Sequence, residues 1–308
     1  GDAMLIALIQ LEFIMVLLVA AGIYLRRRSV ITDEGRDCLS DLLTMLILPC
    51  NIFLSFEGNT DMSALKSSLL TVIISVLVML CTAILGKVIY RHREERKAKV
   101  FRYGLVNSNA LFIGLPIIQS LLGDAGVLQL SMYMIFVRMF CWSYGLSLYT
   151  GVKSDWKGSF KRLLTHPCMI AAARGVAAMV TGIRLPAFLD RTLQYVSSCL
   201  MALSMLLIGV VLSEIKLKEV FRGDVWRFTA LRLGVMPGIV FGLCKLCGVP
   251  YIVTATCTLV SGMPAASLTA VLAARYHGDS ELGALLVAVS TILSAVTIPL
   301  WFMTGLYR

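Results

Sequence analysis

The chain of 308 residues reads as an all-α integral membrane protein: ten transmembrane helices forming two inverted five-helix repeats, with helices 4 and 9 broken where they cross. Three observations support that reading. Hydrophobic residues make up 58% of the chain and charged ones 15%, with a mean hydropathy of +0.84, so most side chains must meet lipid or another helix. The apolar residues fall in ten stretches of roughly the 20-residue length that crosses a bilayer. Two of those stretches are interrupted by glycine and proline: N-S-N-A-L-F-I-G-L-P-I-I-Q-S from Asn107 and T-L-V-S-G-M-P-A-A-S-L-T from Thr258. Proline lacks an amide hydrogen and its ring clashes with the carbonyl four residues back, which predicts a kink or unwinding at Pro116 and Pro264. In hydrocarbon the freed backbone groups are tolerated only where protein or a water-filled cavity satisfies them.

Gly1 to Ala3 read as an expression scar before Met4, and the first span, roughly 4 to 25, is too long and wrongly flanked for a cleaved signal peptide. The second, roughly 36 to 56, follows the basic turn R-R-R, and the third, roughly 65 to 90, runs into a basic segment between Arg91 and Arg102. The fourth, roughly 101 to 122, holds the first interruption, and the fifth, roughly 126 to 151, carries Arg138 in its middle. A linker at 152–163 separates them from spans at roughly 164 to 183 and 193 to 213, then an eighth at roughly 225 to 248 containing a G-x-x-x-G-x-x-x-G ridge around Pro237. The ninth, roughly 251 to 276, holds the second interruption, and the tenth runs from about 281 to 304. Of the 28 Lys and Arg, 20 fall in odd-numbered loops and five in even-numbered loops or at the termini, which places both termini outside the cell membrane and the linker in the cytoplasm.

Residues 4–151 and 164–308 form the proposed repeats. G-L-P at 114–116 corresponds to G-M-P at 262–264, and each interrupted span ends in a polar turn, G-D-A-G at 123–126 and H-G-D-S at 277–280. Five spans per half invert the second half, and paired interruptions in inverted halves mark a midplane binding site of secondary carriers. A carrier of small organic anions by alternating access follows, with spans 3 to 5 and 8 to 10 moving against a scaffold of spans 1, 2, 6 and 7. A channel or a transporter-derived sensor is the alternative, although no signalling domain and no polar pore stripe is visible. Enzymes are disfavoured because no H-E-x-x-H or G-x-S-x-G motif occurs. The net charge of +10 lies in short loop clusters without aromatic interleaving, which argues against nucleic acid. The nine cysteines suit buried free thiols, Cys244 and Cys247 alone make a weak metal signal, and no metal or cofactor is expected.

A carboxylate in a low-dielectric site needs donors, which the amides and dipole at the start of a half-helix can supply. Asn107 and Asn109 add side-chain amides. Arg138 could pair with an anionic substrate, or instead bond to backbone carbonyls that the interruptions free or snorkel toward the interface. Arg174 and Arg232, each within about 10 Å of a span end, read as snorkelling side chains. For coupling, Glu12 could carry a proton, and Ser261, Ser267, Thr269, Ser290 and Thr291 could supply hydroxyls to an ion.

The runs N-A-L-F-I-G-L-P-I-I at 109–118, M-P-A-A-S-L-T-A-V-L-A-A-R-Y at 263–276 and L-S-A-V-T-I-P-L at 293–300 resemble the auxin efflux carrier family. L-P-C-N-I-F, H-P-C-M-I-A and S-M-L-L-I-G extend the likeness over essentially the whole chain, and the short central loop is similar to the bacterial malate- or malonate-permease-like members of the bile/arsenite/riboflavin transporter superfamily. The resemblance implies carriage of dicarboxylates or auxin-like acids at two crossed, proline-broken helices. It implies that Asn109 sits beside the substrate carboxylate, that Pro116 and Pro264 are the crossover prolines, and that Ala265, Ala266 and Ser267 line the same site. Ala202 and Arg174 depart from the family pattern. The lipid bilayer is the expected surrounding, with a homodimer through the scaffold as the candidate assembly.

Overall fold

The computed structural model describes residues 2–57, 62–150, 165, 167–182, 184–213, 222–266 and 268–303. Ser267, the side chain of Glu12 and the 152–163 linker lie outside the described residues. Helices account for nearly all of the rest: α1 (Asp2–Arg27), α2 (Asp33–Leu42), α3 (Leu48–Glu57), α4 (Met62–Ile89), α5 (Glu95–Val106), α6 (Leu115–Phe140), α7 (Leu146–Thr150) and α8 (Pro167–Thr181). They continue with α9 (Ala187–Ser198), α10 (Leu200–Ser213), α11 (Gly223–Ala230), α12 (Met236–Leu246), α13 (Tyr251–Ser261), α14 (Leu268–Arg275) and α15 (Ser280–Met303). By length and composition, six helical runs among the described residues are sufficient to cross a membrane: 33–54, 67–89, 110–149, 187–213, 223–246 and 280–303. The 40-residue run from Ala110 to Tyr149 contains Gly123 at φ 62°, ψ −159°, which breaks its helical path at the G-D-A-G turn.

Local chemistry sets the ends. Thr32 accepts a hydrogen bond from the Gly35 amide at 3.2 Å to cap α2, whose first turn carries Asp33 and Glu34 against the positive end of the helix dipole. Gly248, at φ 64°, closes α12 as its own amide reaches the Lys245 carbonyl and that of Val249 reaches the Cys244 carbonyl. Asp279 accepts from the Leu282 amide at 2.9 Å and opens α15.

Prolines are accommodated differently from the expectation. At Pro116 the helix does not unwind. A π-helical turn, Ala110–Gly114, precedes it and runs into α6, where Pro116 is the second residue. The same arrangement recurs at Leu43–Ile47 before Pro49 and at Leu231–Val235 before Pro237. Widening the turn to i→i+5 moves the carbonyl that the proline ring would strike and removes the need for its missing amide. The Leu233 carbonyl, four residues before Pro237, is taken instead by the Trp301 indole at 2.7 Å. The helical path stops upstream of Pro116, at Asn107 to Asn109, and again at Gly262 to Ala266, where Pro264 does lie within the gap.

Packing follows close backbone approach. A Cβ on Gly22 would overlap the Leu206 carbonyl oxygen and one on Gly209 would overlap that of Val19, so α1 and α10 touch through these two glycines. The Gly234, Gly238, Gly242 ridge is mostly open among the described residues: only at Gly238 would an added Cβ meet a neighbour, the Trp301 ring at 3.3 Å. Gln129 joins α6 to α4, accepting from Thr71 Oγ1 at 2.5 Å and donating to Ser67 Oγ at 3.2 Å. Large apolar side chains such as Phe13, Leu17, Ile73, Ile84, Leu246 and Val296 are exposed on the outside of the bundle, as a lipid-facing surface requires.

Candidate functional site

The two gaps in the helical path lie against each other. Ser108 and Ala265 form an isolated antiparallel bridge, flanked by hydrogen bonds from the Asn109 amide to the Pro264 carbonyl (2.8 Å) and from the Ala266 amide to the Asn107 carbonyl (3.1 Å). Each stretch thus satisfies backbone groups that its own helix cannot, which is how non-helical chain survives away from water. A Cβ at Gly114 would come within 3.3 Å of the Met263 side chain, so a larger residue there requires Met263 to shift.

Around this bridge the structure assembles Asn107, Asn109, Pro264, Ala265 and Ala266, five of the expected site residues. Asn109 is 5% exposed, and its carbonyl accepts from the amides of Ile113 and Gly114. Its side chain does not cap the following turn and has no hydrogen-bond partner among the described residues. Asn107 is committed in part, donating from Nδ2 to the Tyr103 hydroxyl at 3.0 Å. Tyr103 is buried edge-on against Tyr149, with ring centroids 5.5 Å apart. Arg138 is half-buried and within electrostatic range of Tyr103 and Cys141. Among the described residues it has neither a hydrogen-bond nor an ion-pair partner.

The role weighed for Arg138, bonding freed carbonyls, belongs to Arg232. Arg232 is not a snorkelling side chain: it is 2% exposed, with Nε donating to the Met263 carbonyl at 2.9 Å and Nη1 to the Leu105 carbonyl. Nothing in its local sequence signals this, since the acceptors are 31 and 127 residues away. Arg174 is exposed on α8.

The hydroxyls divide into used and unused. Ser290 accepts from the Ala265 amide at 3.1 Å and donates to the Leu286 carbonyl at 2.5 Å, so it seals the second gap. Ser261 donates to the Thr258 carbonyl at 2.8 Å. Thr269 is buried and its hydroxyl has no partner, as is also true of Thr256 and Thr258. No group of three or more His, Cys, Asp or Glu able to hold a metal ion occurs among the described residues.

Two cavities open beside residues downstream of the first gap, and no residue of either gap is among those that line them. A polar one of about 860 Å³ is lined by Pro116, Gln119, Ser120, Asp124, Arg184 and Asp190 among others, so Pro116 faces this space and not the backbone bridge. An apolar one of about 440 Å³ lies between α1, α10, α15 and the turn that leads into α6, with Ile113, Ile117, Met205, Thr291, Ser294 and Ile298 on its wall. At the wall of the polar cavity, Asn51 of α3 donates to Gln119 Oε1 at 2.8 Å and to Ser197 Oγ of α9 at 2.7 Å.

A bundle of apolar helices with lipid-facing exteriors and an internal, polar-lined crossing defines a multi-pass membrane transport protein. The comparison with known families agrees: residues 4–161 and 156–302 match the family described as membrane transport protein, and the chain belongs to that family. An uncharacterized transporter of Methanocaldococcus jannaschii is 25% identical over 303 residues, covering 94% of this chain and 96% of the relative. One from Methanothermobacter thermautotrophicus is 26% identical, covering 93% and 95%. The uncharacterized transporter YfdV of Escherichia coli K12 is 19% identical, covering 93% and 94%.

Proposed function

We propose that the protein is a secondary carrier of organic carboxylates that binds its substrate where two broken membrane crossings meet. The observation that carries this reading is the Ser108–Ala265 bridge with the unclaimed amide side chain of Asn109 beside it. Two backbone hydrogen bonds pair the gaps, and Ser290 and Arg232 hold further backbone groups there, whereas the side chain of Asn109 and the guanidinium of Arg138 have no hydrogen-bond partner among the described residues and are the groups this reading assigns to the solute. A half-buried guanidinium without an acid partner is costly in an apolar bundle, and an anion offsets that cost. In this reading the chain makes ten crossings as two inverted halves, Gly123 dividing the fourth from the fifth, and the bundle holding both gaps moves against the scaffold to expose the site alternately.

The size of the acid is favoured by the apolar cavity. Ile113 lies one turn past Asn109, and Ser294 one turn past the Ser290 that seals the second gap, so the 440 Å³ space adjoins the crossing. An amphipathic acid, with its carboxylate at Asn109 and an apolar body in this space, fits better than a compact, fully hydrated diacid. The test is uptake of mono- and dicarboxylates by proteoliposomes, with thermal shifts on the same compounds. Carboxylates, and aromatic ones above dicarboxylates, are expected to stabilise the protein and be taken up. Binding of cations or neutral solutes with no response to carboxylates would reject the anion assignment.

A further inference from the structure

Arg232 is the largest fully buried side chain in the described protein, and both carbonyls it holds are ones that the crossing leaves without ordinary partners. In a continuous helix the Leu105 carbonyl would accept from the amide of residue 109, but that amide is spent on Pro264. The Met263 carbonyl lies in the other gap, outside both α13 and α14. One guanidinium therefore occupies the acceptors that each interruption orphans, and does so from a third element, the π-turn ahead of Pro237. Its planar fork can hold two acceptors in fixed directions, which a point-charge ammonium cannot.

Charge bears on the same place. No carboxylate lies within ion-pair distance of Arg232 among the described residues, so carbonyl dipoles are the recorded compensation for a full positive charge set directly behind the crossing. Arg138 and Arg232 both lie within electrostatic range of Cys141, so the two cations share a neighbour.

We propose that Arg232 is a positioning residue for transport. It fixes the register of the two gaps so that Asn109 is presented to the substrate, and its buried charge makes the crossing selective for anions. The selectivity part rests on the carboxylate reading above; the register part does not, and one experiment separates them.

The bridge geometry supplies the readout. Ser108 and Ala265 are flanked, not joined, by the two backbone hydrogen bonds, which is the pairing in which side chains come closest, with Cα atoms about 4.5 Å apart. That spacing lies within the range a disulfide spans. The S108C/A265C protein is oxidised in native membranes and the linked peptides are quantified by mass spectrometry, leaving the nine native cysteines in place. With Arg232 present the crosslink is expected to form readily. R232Q should slow it several-fold, and R232K should give an intermediate rate. In proteoliposomes without the added cysteines, R232K should raise the KM for the best carboxylate by roughly tenfold or more while its Tm stays near that of the parent, because a fork replaced by a point charge loses at least one charge-assisted bond. Unchanged crosslinking and unchanged KM in both variants would overturn the proposal. So would a lowered Tm with an unchanged KM and crosslink rate, which would make Arg232 a fastener only. If the parent takes up no carboxylate but crosslinking responds to Arg232, the register role stands and the substrate assignment falls.

Discussion

At the scale of single residues the crossing separates four polar side chains by what they already hold. Arg232 is saturated by carbonyls, Asn107 is partly spent on Tyr103, and Asn109 and Arg138 are free. Free groups should cost transport more than stability when removed. Asn109→Ala is expected to lower uptake by about ten- to a hundredfold, the worth of a hydrogen bond to a charged group, with little change in Tm. Arg138→Lys should likewise lose more uptake than stability, since the charge remains and the fork does not. Equal losses of uptake and Tm in either variant would assign that residue to packing. The sequence could show that Asn109 and Arg138 are out of place in an apolar stretch, because polarity in a membrane span is a local property. It could not show which arginine would find the carbonyls, because Leu105 and Met263 reach Arg232 only through tertiary structure.

At the scale of elements, the prolines marked where helices are disturbed without saying how. Pro116 follows a widened turn and Pro264 sits in an open gap, although both close a Gly-x-Pro triplet. The difference lies in the partner, since the gap at 107–109 forms where another chain segment offers matching donors and acceptors. Glycines carry the same lesson. The G-x-x-x-G ridge is conspicuous in the sequence yet mostly open, whereas Gly22 and Gly209, the last residue of S-M-L-L-I-G, bring the backbones of two helices together. Gly209→Val should therefore destabilise the purified protein by about 1–3 kcal/mol or prevent its folding, as overpacking does. Gly242→Ala, with nothing within 4 Å, should leave Tm unchanged or raise it, since alanine favours helix by about 1 kcal/mol over glycine. Thermal unfolding in one detergent compares the two; similar losses from both would mean that Gly242 faces a neighbour, such as a second copy of the chain.

At the scale of the whole molecule, the proposed cycle assigns α3 and α9 to the scaffold and α6 to the moving bundle, and it requires the contacts between them to change. Asn51 spans that divide through Gln119 and Ser197 and is itself 2% exposed. Its Oδ1 is buried without a partner, so the residue is held at a cost, which is more readily explained by a conformational role than by a stabilising one. The Asn51–Gln119 bond exists in the arrangement whose 860 Å³ polar cavity is open, and a bond made in one of two states biases the equilibrium toward that state. At about 0.5–1.5 kcal/mol per hydrogen bond the bias is roughly twofold to tenfold in the ratio of states. Asn51→Ala should then depopulate the observed arrangement with little loss of stability, since the orphaned Oδ1 leaves with the amide. Ser120 lines the open cavity and is exposed, so Ser120→Cys reports its accessibility. Labelling at position 120 by a membrane-impermeant maleimide, read by peptide mass spectrometry, is expected to slow by up to about tenfold when Asn51→Ala is added. An unchanged rate would mean that the Asn51 contacts persist through the cycle, and the divide between the two bundles would then have to be drawn elsewhere than between α3 and α6.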